Sequence, residues 1–100
     1  MILVRDVFRL QFGKARPAIA LWKEGLTIAR EMGVMTDARL LTDLVGPDYY
    51  TLILELTFPS LTEYEQDYRK LMSSEKWKEW YQRFLPLAES GHRELLTIVD

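Results

Sequence analysis

The chain has 100 residues, of which 48% are hydrophobic and 12% aromatic, enough for one domain with its own core. Its net charge of −2 lacks the basic footprint of a nucleic-acid-binding protein, and without cysteine it has no disulfide, thiolate nucleophile or cysteine metal site. No apolar run approaches the roughly 20 residues of a membrane span or forms a signal-peptide core, so we expect a cytoplasmic protein that binds neither nucleic acid nor membrane.

The first strand is predicted over residues 1–12, in the centre of a sheet. Alternation puts the even-numbered side chains on one face, which is apolar except for Asp6, and mixed apolar and basic side chains on the other. An isolated buried carboxylate is costly unless it is paired, hydrogen-bonded or protonated. Asp6 is therefore the first candidate for a functional residue.

An amphipathic helix is predicted over residues 18–32. Pro17 suits a helix start because the first amides of a helix have no partner, and Gly33 suits its end. Trp22 lies on the apolar stripe that would face the sheet.

A hairpin is predicted next, with strands over residues 36–45 and 49–58. The turn residues Gly46, Pro47 and Asp48 lie between them. Both faces of the earlier strand are partly apolar, whereas the later strand has one apolar face and one mixed face.

Two helices are predicted before the last strand. Ser60 and Glu63 have the spacing of a capping box at the start of the first helix. The apolar stripe that starts at Trp77 would lie on another side of one straight helix, so we expect a break at Ser73, with Ser74 capping the second piece.

Pro86 limits the second helix, because it removes an amide from the last turn. Gly91 is then expected to close the helical region. The fourth strand is predicted over residues 93–99.

This β-α-β-β-α(α)-β order predicts an α+β fold of the ferredoxin-like βαββαβ type, a four-stranded antiparallel sheet with its helices on one face. The other face would be left bare and half apolar, with charges of both signs that include Arg5, Arg9, Asp43 and Glu55. We expect this bare face to form a homodimer, with salt bridges between the two sheets.

Three stretches carry a family resemblance: residues 8–14 (FRLQFGK), the hairpin at residues 46–50 (GPDYY) and the aromatic segment at residues 77–94. They resemble NIPSNAP-like proteins and the related antibiotic-biosynthesis monooxygenases of the dimeric α/β-barrel superfamily. The resemblance implies one such domain over residues 1–100, a dimer, and often a pocket between sheet and helices.

Functions in that superfamily range from cofactor-independent oxygenation of aromatic polyketides to haem degradation and the conversion of small acids. Its haem-degrading members use an asparagine and a helix histidine. This chain has no asparagine, and its one histidine, His92, follows Gly91. We therefore expect no haem or other cofactor, and one histidine without cysteine makes a metal site unexpected.

Three functions remain open. The first is an uncharacterised NIPSNAP-like protein that binds a hydrophobic or aromatic small molecule. The second is a cofactor-independent monooxygenase, or a related proton-transfer enzyme, acting on an aromatic or polyketide-like substrate with Asp6 as general acid or base and His92 as proton shuttle. The third is a structural or interaction module without a pocket. The expected pocket residues are Trp22, Tyr64, Tyr68, Trp77, Trp80, Tyr81 and Phe84.

Each candidate residue also has a structural interpretation. Asp6 can simply accept hydrogen bonds from a tryptophan, tyrosine or arginine and fix the packing. The aromatic side chains can be solid core. His92 can be a solvated turn residue beside Gly91.

Overall fold

The chain, described over residues 1–100 in a computed structural model, folds in the order β-α-β-β-α-α-β. The strands are β1 (Ile2–Leu10), β2 (Arg39–Thr42), β3 (Thr51–Phe58) and β4 (Ala88–Thr97). The helices are α1 (Ala15–Glu31), α2 (Leu61–Met72) and α3 (Glu75–Phe84), and one 3-10 turn, Leu85–Leu87, leads into β4. The predicted ferredoxin-like α+β fold is confirmed.

The strands form one antiparallel sheet in the order β2-β3-β1-β4, so β1 is central as predicted. The register places Asp6 opposite Leu54 of β3 and opposite Arg93 of β4. All three side chains therefore belong to the same face of the sheet, the one that the helices cover.

The helices α2 and α3 are capped by the serines that the sequence predicts. The Ser60 hydroxyl accepts a hydrogen bond from the Glu63 amide at 3.4 Å, and the Ser74 hydroxyl accepts one from the Trp77 amide at 3.1 Å. The predicted break between α2 and α3 is therefore confirmed, because each helix has its own N-terminal cap. No helix of this structure is both long and apolar enough to cross a bilayer.

Close contact between α1 and α3 depends on Gly25. A Cβ atom at this position would overlap the Trp80 indole ring. The same indole donates its N–H to the Leu21 carbonyl oxygen at 2.6 Å. The absence of a side chain at Gly25 therefore lets Trp80 bury completely between the two helices.

Both strands of the hairpin are shorter than predicted. The strand β2 covers Arg39–Thr42 rather than residues 36–45, and β3 begins at Thr51 rather than at residue 49. Residues 36 and 37 form a turn after Met35, whose φ is 54°, and Tyr50 has a φ of 58°, so neither predicted strand start is extended. Beyond β2, the Asp43 amide still donates to the Thr51 carbonyl oxygen at 3.3 Å, but the Thr51 amide donates to the Asp43 carboxylate at 2.7 Å instead of to a backbone oxygen.

Two other boundaries differ from the prediction. The helix α1 begins at Ala15, three residues early, because Pro17 is tolerated anywhere among the first unpaired amides of a helix. The strand β4 covers Ala88–Thr97 rather than residues 93–99, and Gly91 lies inside it. A Cβ atom at Gly91 would come within 2.9 Å of the Phe8 ring, so this glycine allows close packing rather than a turn.

The uncovered face of the sheet, the bare face, carries a row of four side chains in register across all four strands, in the order Arg39, Glu55, Arg5, Glu94. Arg5 donates to Glu55 at 3.1 Å and to Glu94 at 3.0 Å, and Arg39 donates to Glu55 at 2.8 Å. We call this row the charge ladder. Its ion pairs join neighbouring strands of one sheet.

Glu55 is the most enclosed carboxylate of the charge ladder. The hydrogen bond from Arg39 lowers the pKa of Glu55 below its ordinary value and outweighs the opposing effect of burial. Arg9, the other basic residue predicted on this face, forms no ion pair.

Candidate functional site

A cavity of about 650 Å³ lies between the covered face of the sheet and the helices α2 and α3. No residue of β4 is fully buried, so the helices leave this edge strand of the sheet largely open. The cavity brings together six of the seven aromatic residues predicted to line a pocket: Trp22, Tyr64, Tyr68, Trp77, Tyr81 and Phe84.

The seventh, Trp80, does not line the cavity. It is fully buried behind Trp22 and Phe84, with ring centroids 4.6 Å and 6.1 Å away, and its N–H is bound to Leu21. Trp80 therefore belongs to the packing between α1 and α3.

Asp6 lies in the wall of the cavity and is only 8% exposed. Its Oδ1 accepts a hydrogen bond from Nε of Arg93 at 2.6 Å, and its Oδ2 accepts one from Nη2 of Arg93 at 3.2 Å. The two residues are cross-strand neighbours in β1 and β4. The burial of Asp6 is thus compensated by a bidentate ion pair, the strongest of the pairings that the sequence left open.

Arg93 is held on two further sides. Its Nη1 donates to the Tyr64 hydroxyl at 2.9 Å, and its guanidinium carbon lies 5.2 Å from the centre of the Tyr68 ring. Burial lowers the pKa of Arg93, but the hydrogen bond and charge of Asp6 outweigh it and leave that pKa above its ordinary value. Arg93 is therefore a fixed, charged donor at the cavity wall.

The sequence interpretation did not include Arg93 among the site residues. The sequence indicates Arg93 only indirectly. A carboxylate on an apolar strand face needs a partner, and Arg93 is the one basic residue in the predicted last strand, residues 93–99. Finding it required the register between β1 and β4, which are far apart in sequence.

The indole N–H of Trp22 has no hydrogen-bond partner, although Trp22 is only 2% exposed. Aromatic rings surround it instead, with those of Trp77, Trp80 and Phe84 in edge-to-face arrangements at 4.6–6.1 Å. Such ring packing offers the N–H only a weak π acceptor. Trp22 is therefore an apolar part of the wall, and its N–H forms no hydrogen bond within the protein.

His92 is not a turn residue, because it lies in the middle of β4 opposite Val7. Its Nε2 lies 3.1 Å from Oε2 of Glu94, a member of the charge ladder on the bare face. Although residue 92 borders the cavity through its place in β4, its ring pairs with the bare face. The structure does not bring the His92 ring to Asp6.

The NIPSNAP family model matches residues 5–100. The chain belongs to the NIPSNAP family. No curated protein is significantly similar to it in sequence.

Several solved structures have the same fold as this chain. A NIPSNAP family protein from Agrobacterium tumefaciens superimposes with a TM-score of 0.87 at 22% identity, over 99% of this chain and 86% of that protein. An uncharacterized NIPSNAP domain protein from Burkholderia xenovorans gives 0.83 at 17% identity, over 99% and 95%. SnoaB, a cofactor-independent oxygenase from Streptomyces nogalater, gives 0.71 at 11% identity, over 99% and 93%. At these identities the likeness concerns the fold alone.

Proposed function

We propose that this NIPSNAP family member binds an apolar or aromatic small molecule in the cavity between its sheet and its helices. The cavity is the observation that carries the proposal, since about 650 Å³ falls within the roughly 300–1,000 Å³ of ligand pockets. Sixteen of its 25 lining residues are hydrophobic, and the ion pair of Asp6 and Arg93, with Tyr64 bound to it, is the hydrogen-bonded polar group in its wall. An apolar wall with few converging polar groups is typical of small-molecule sites.

N-phenyl-1-naphthylamine, a neutral dye whose fluorescence rises in apolar surroundings, tests this proposal. We expect saturable binding by the full chain, weakened at least tenfold by Met72→Trp, because Met72 lines the cavity and an indole would fill part of it. Lys70→Trp, two residues away on α2 and outside the cavity, is the matched control and should bind the dye as the parent does. Absence of saturable binding, or equal effects of the two variants, would refute the proposal.

The enzyme interpretation depends on Asp6, and SnoaB shows that a similar fold can support cofactor-independent oxygenation. Both oxygens of Asp6 accept hydrogen bonds from Arg93, and the carboxylate is almost completely enclosed. A general base must instead reach the proton that it removes. The pairing therefore supports Asp6 as a positioning residue for Arg93 and gives less support to proton transfer by Asp6.

We also propose that the bare face joins two copies of the chain. Apolar rows flank the charge ladder, with Leu41, Ile53 and Val7 on one side and Leu3 and Leu96 on the other. The ladder has equal numbers of positive and negative groups, so two such faces can meet without net repulsion.

Sedimentation of two single variants tests the dimer. Leu96→Lys places a charge on the bare face, and Leu95→Lys places one on the opposite face of the same strand. The two leucines are 44% and 46% exposed, so neither change should unfold a monomer. We expect only Leu96→Lys to dissociate the dimer, and a monomeric parent protein at micromolar concentration would refute this interface.

A further inference from the structure

Within this cavity, we propose that Arg93 and Tyr64 form an anchor for one acceptor oxygen of the ligand, a neutral carbonyl at the end of an apolar body. This inference rests on the proposed ligand-binding function and deepens it. We call the unused N–H groups of Arg93 and the O–H of Tyr64 the donor edge.

The unused hydrogen-bonding capacity of the anchor consists of donors. A guanidinium has five N–H groups, and three of those in Arg93 are bound, two to Asp6 and one to Tyr64. Two N–H groups are left over. The Tyr64 hydroxyl accepts from Arg93 and forms no other hydrogen bond within the protein, so its own hydrogen is also available. A ligand group that matches this edge must accept hydrogen bonds rather than donate them.

The donor edge is held in place before any ligand arrives. Asp6 fixes one side of the guanidinium through two hydrogen bonds, Tyr64 fixes a second, and the Tyr68 ring covers one face. Little conformational freedom of Arg93 remains to be lost when a ligand binds. Such preorganisation is what converts a hydrogen bond into useful affinity.

The charged side chains around the cavity favour a neutral acceptor group on the ligand over an anionic one. Asp6 already compensates the charge of Arg93. Of the other charged side chains that border the cavity, Asp67 and Glu89 are acidic and only Lys78 is basic. A ligand carboxylate would therefore lose its hydration without meeting a net positive site, whereas a ketone, ester or amide oxygen would gain hydrogen bonds from a charged donor at little desolvation cost.

Three probes with the same ring system test the inference: 2-acetylnaphthalene, 2-ethylnaphthalene and 2-naphthoate. The measured quantity is the ratio of the dissociation constants of the ethyl and acetyl compounds, which cancels most of the apolar contribution. Tyr64→Phe should lower this ratio about fivefold, the effect of one hydrogen bond. Tyr49→Phe is the control, because it removes a tyrosine hydroxyl that lies outside this cavity, from a side chain that is 76% exposed. It should leave the ratio unchanged.

The double variant Asp6→Leu/Arg93→Leu removes the pair without leaving a buried charge unmatched, and circular dichroism checks that it folds. We expect its ratio to fall at least tenfold, since hydrogen bonds to a charged donor are the stronger kind. A ratio that is the same in all four proteins overturns the donor edge. Tighter binding of 2-naphthoate than of 2-acetylnaphthalene overturns the preference for a neutral acceptor. Failure of both neutral naphthalenes and of N-phenyl-1-naphthylamine to bind refutes the ligand-binding function itself.

Discussion

Asp6 and Arg93 face each other across β1 and β4, with Oδ1 and Nε 2.6 Å apart at the wall of the cavity. The Asp6 side chain is 11% exposed, whereas the Arg93 side chain is 42% exposed. The two members of the pair therefore differ in what their loss costs the fold.

Replacement of Arg93 alone should destabilise the protein more than replacement of both residues. Arg93→Leu leaves Asp6 buried without its partner, which we expect to cost about 2 kcal/mol, a value reduced from that of fully buried pairs because the arginine is half exposed. The double variant Asp6→Leu/Arg93→Leu should recover most of this loss. Urea denaturation monitored by tryptophan fluorescence measures both, with Arg39→Leu, whose side chain is 73% exposed, as a control expected to cost less than about 1 kcal/mol. A double variant less stable than Arg93→Leu would contradict the expectation.

Glu55 should contribute to the acid sensitivity of the fold. Its pKa is lowered by the hydrogen bond from Arg39, so its contribution is present above the ordinary value of 4.5 and is lost as the pH falls through the depressed value. We expect Glu55→Gln to lose less stability than the parent between pH 5 and pH 3, in about the window where carboxylates titrate. Glu89→Gln, an exposed change outside the charge ladder, should keep the parental slope. Parallel slopes for the parent and Glu55→Gln would show that the ladder does not couple to protonation.

A larger residue at Gly91 should destabilise the fold. Its Cβ atom in Gly91→Ala would lie 2.9 Å from Cδ1 of Phe8 and 3.3 Å from the Val7 carbonyl oxygen. We expect a loss of about 1–2 kcal/mol, typical of overpacking. Gly46→Ala, where the nearest atom is 3.7 Å away and φ is not left-handed, should change stability by less than about 0.5 kcal/mol. Equal thermal midpoints of the two variants would argue against close packing of β4 on Phe8.

The two buried tryptophans should respond differently to the loss of the indole N–H. Trp80→Phe removes a hydrogen bond to the Leu21 carbonyl oxygen, whereas Trp22→Phe removes an N–H that has no partner. Both lose similar volume from the core, so we expect Trp80→Phe to cost about 1 kcal/mol more than Trp22→Phe in chemical denaturation. The opposite order would contradict the absence of a hydrogen-bond partner for the Trp22 N–H.

Features set by neighbouring residues could be predicted from the sequence. Ser60 and Ser74 cap helices that start within three residues of them, so the break between α2 and α3 followed from local spacing. The alternation of β1 likewise predicted that Asp6 would lie on the covered face.

Features that depend on residues far apart in the sequence could not be predicted from it. Gly91 has the local signature of a turn, and only the Phe8 ring on the neighbouring strand explains its place inside β4. Arg93 became the partner of Asp6 through a register across 87 positions of the chain. Trp80 was expected in the pocket because its position on α3 is apolar, but Gly25 of α1 admits it into the core.

The charge ladder also bears on how the sheet acquires its alignment. A slip of two residues between β1 and β3 would keep every side chain on its proper face, so hydrophobic burial alone discriminates weakly against it. Such a slip would set Arg5 opposite Ile53 or Thr57 in place of Glu55 and would separate the ion pairs. The alternating order of Arg39, Glu55, Arg5 and Glu94 therefore favours the observed alignment of the four strands over alignments shifted by two residues.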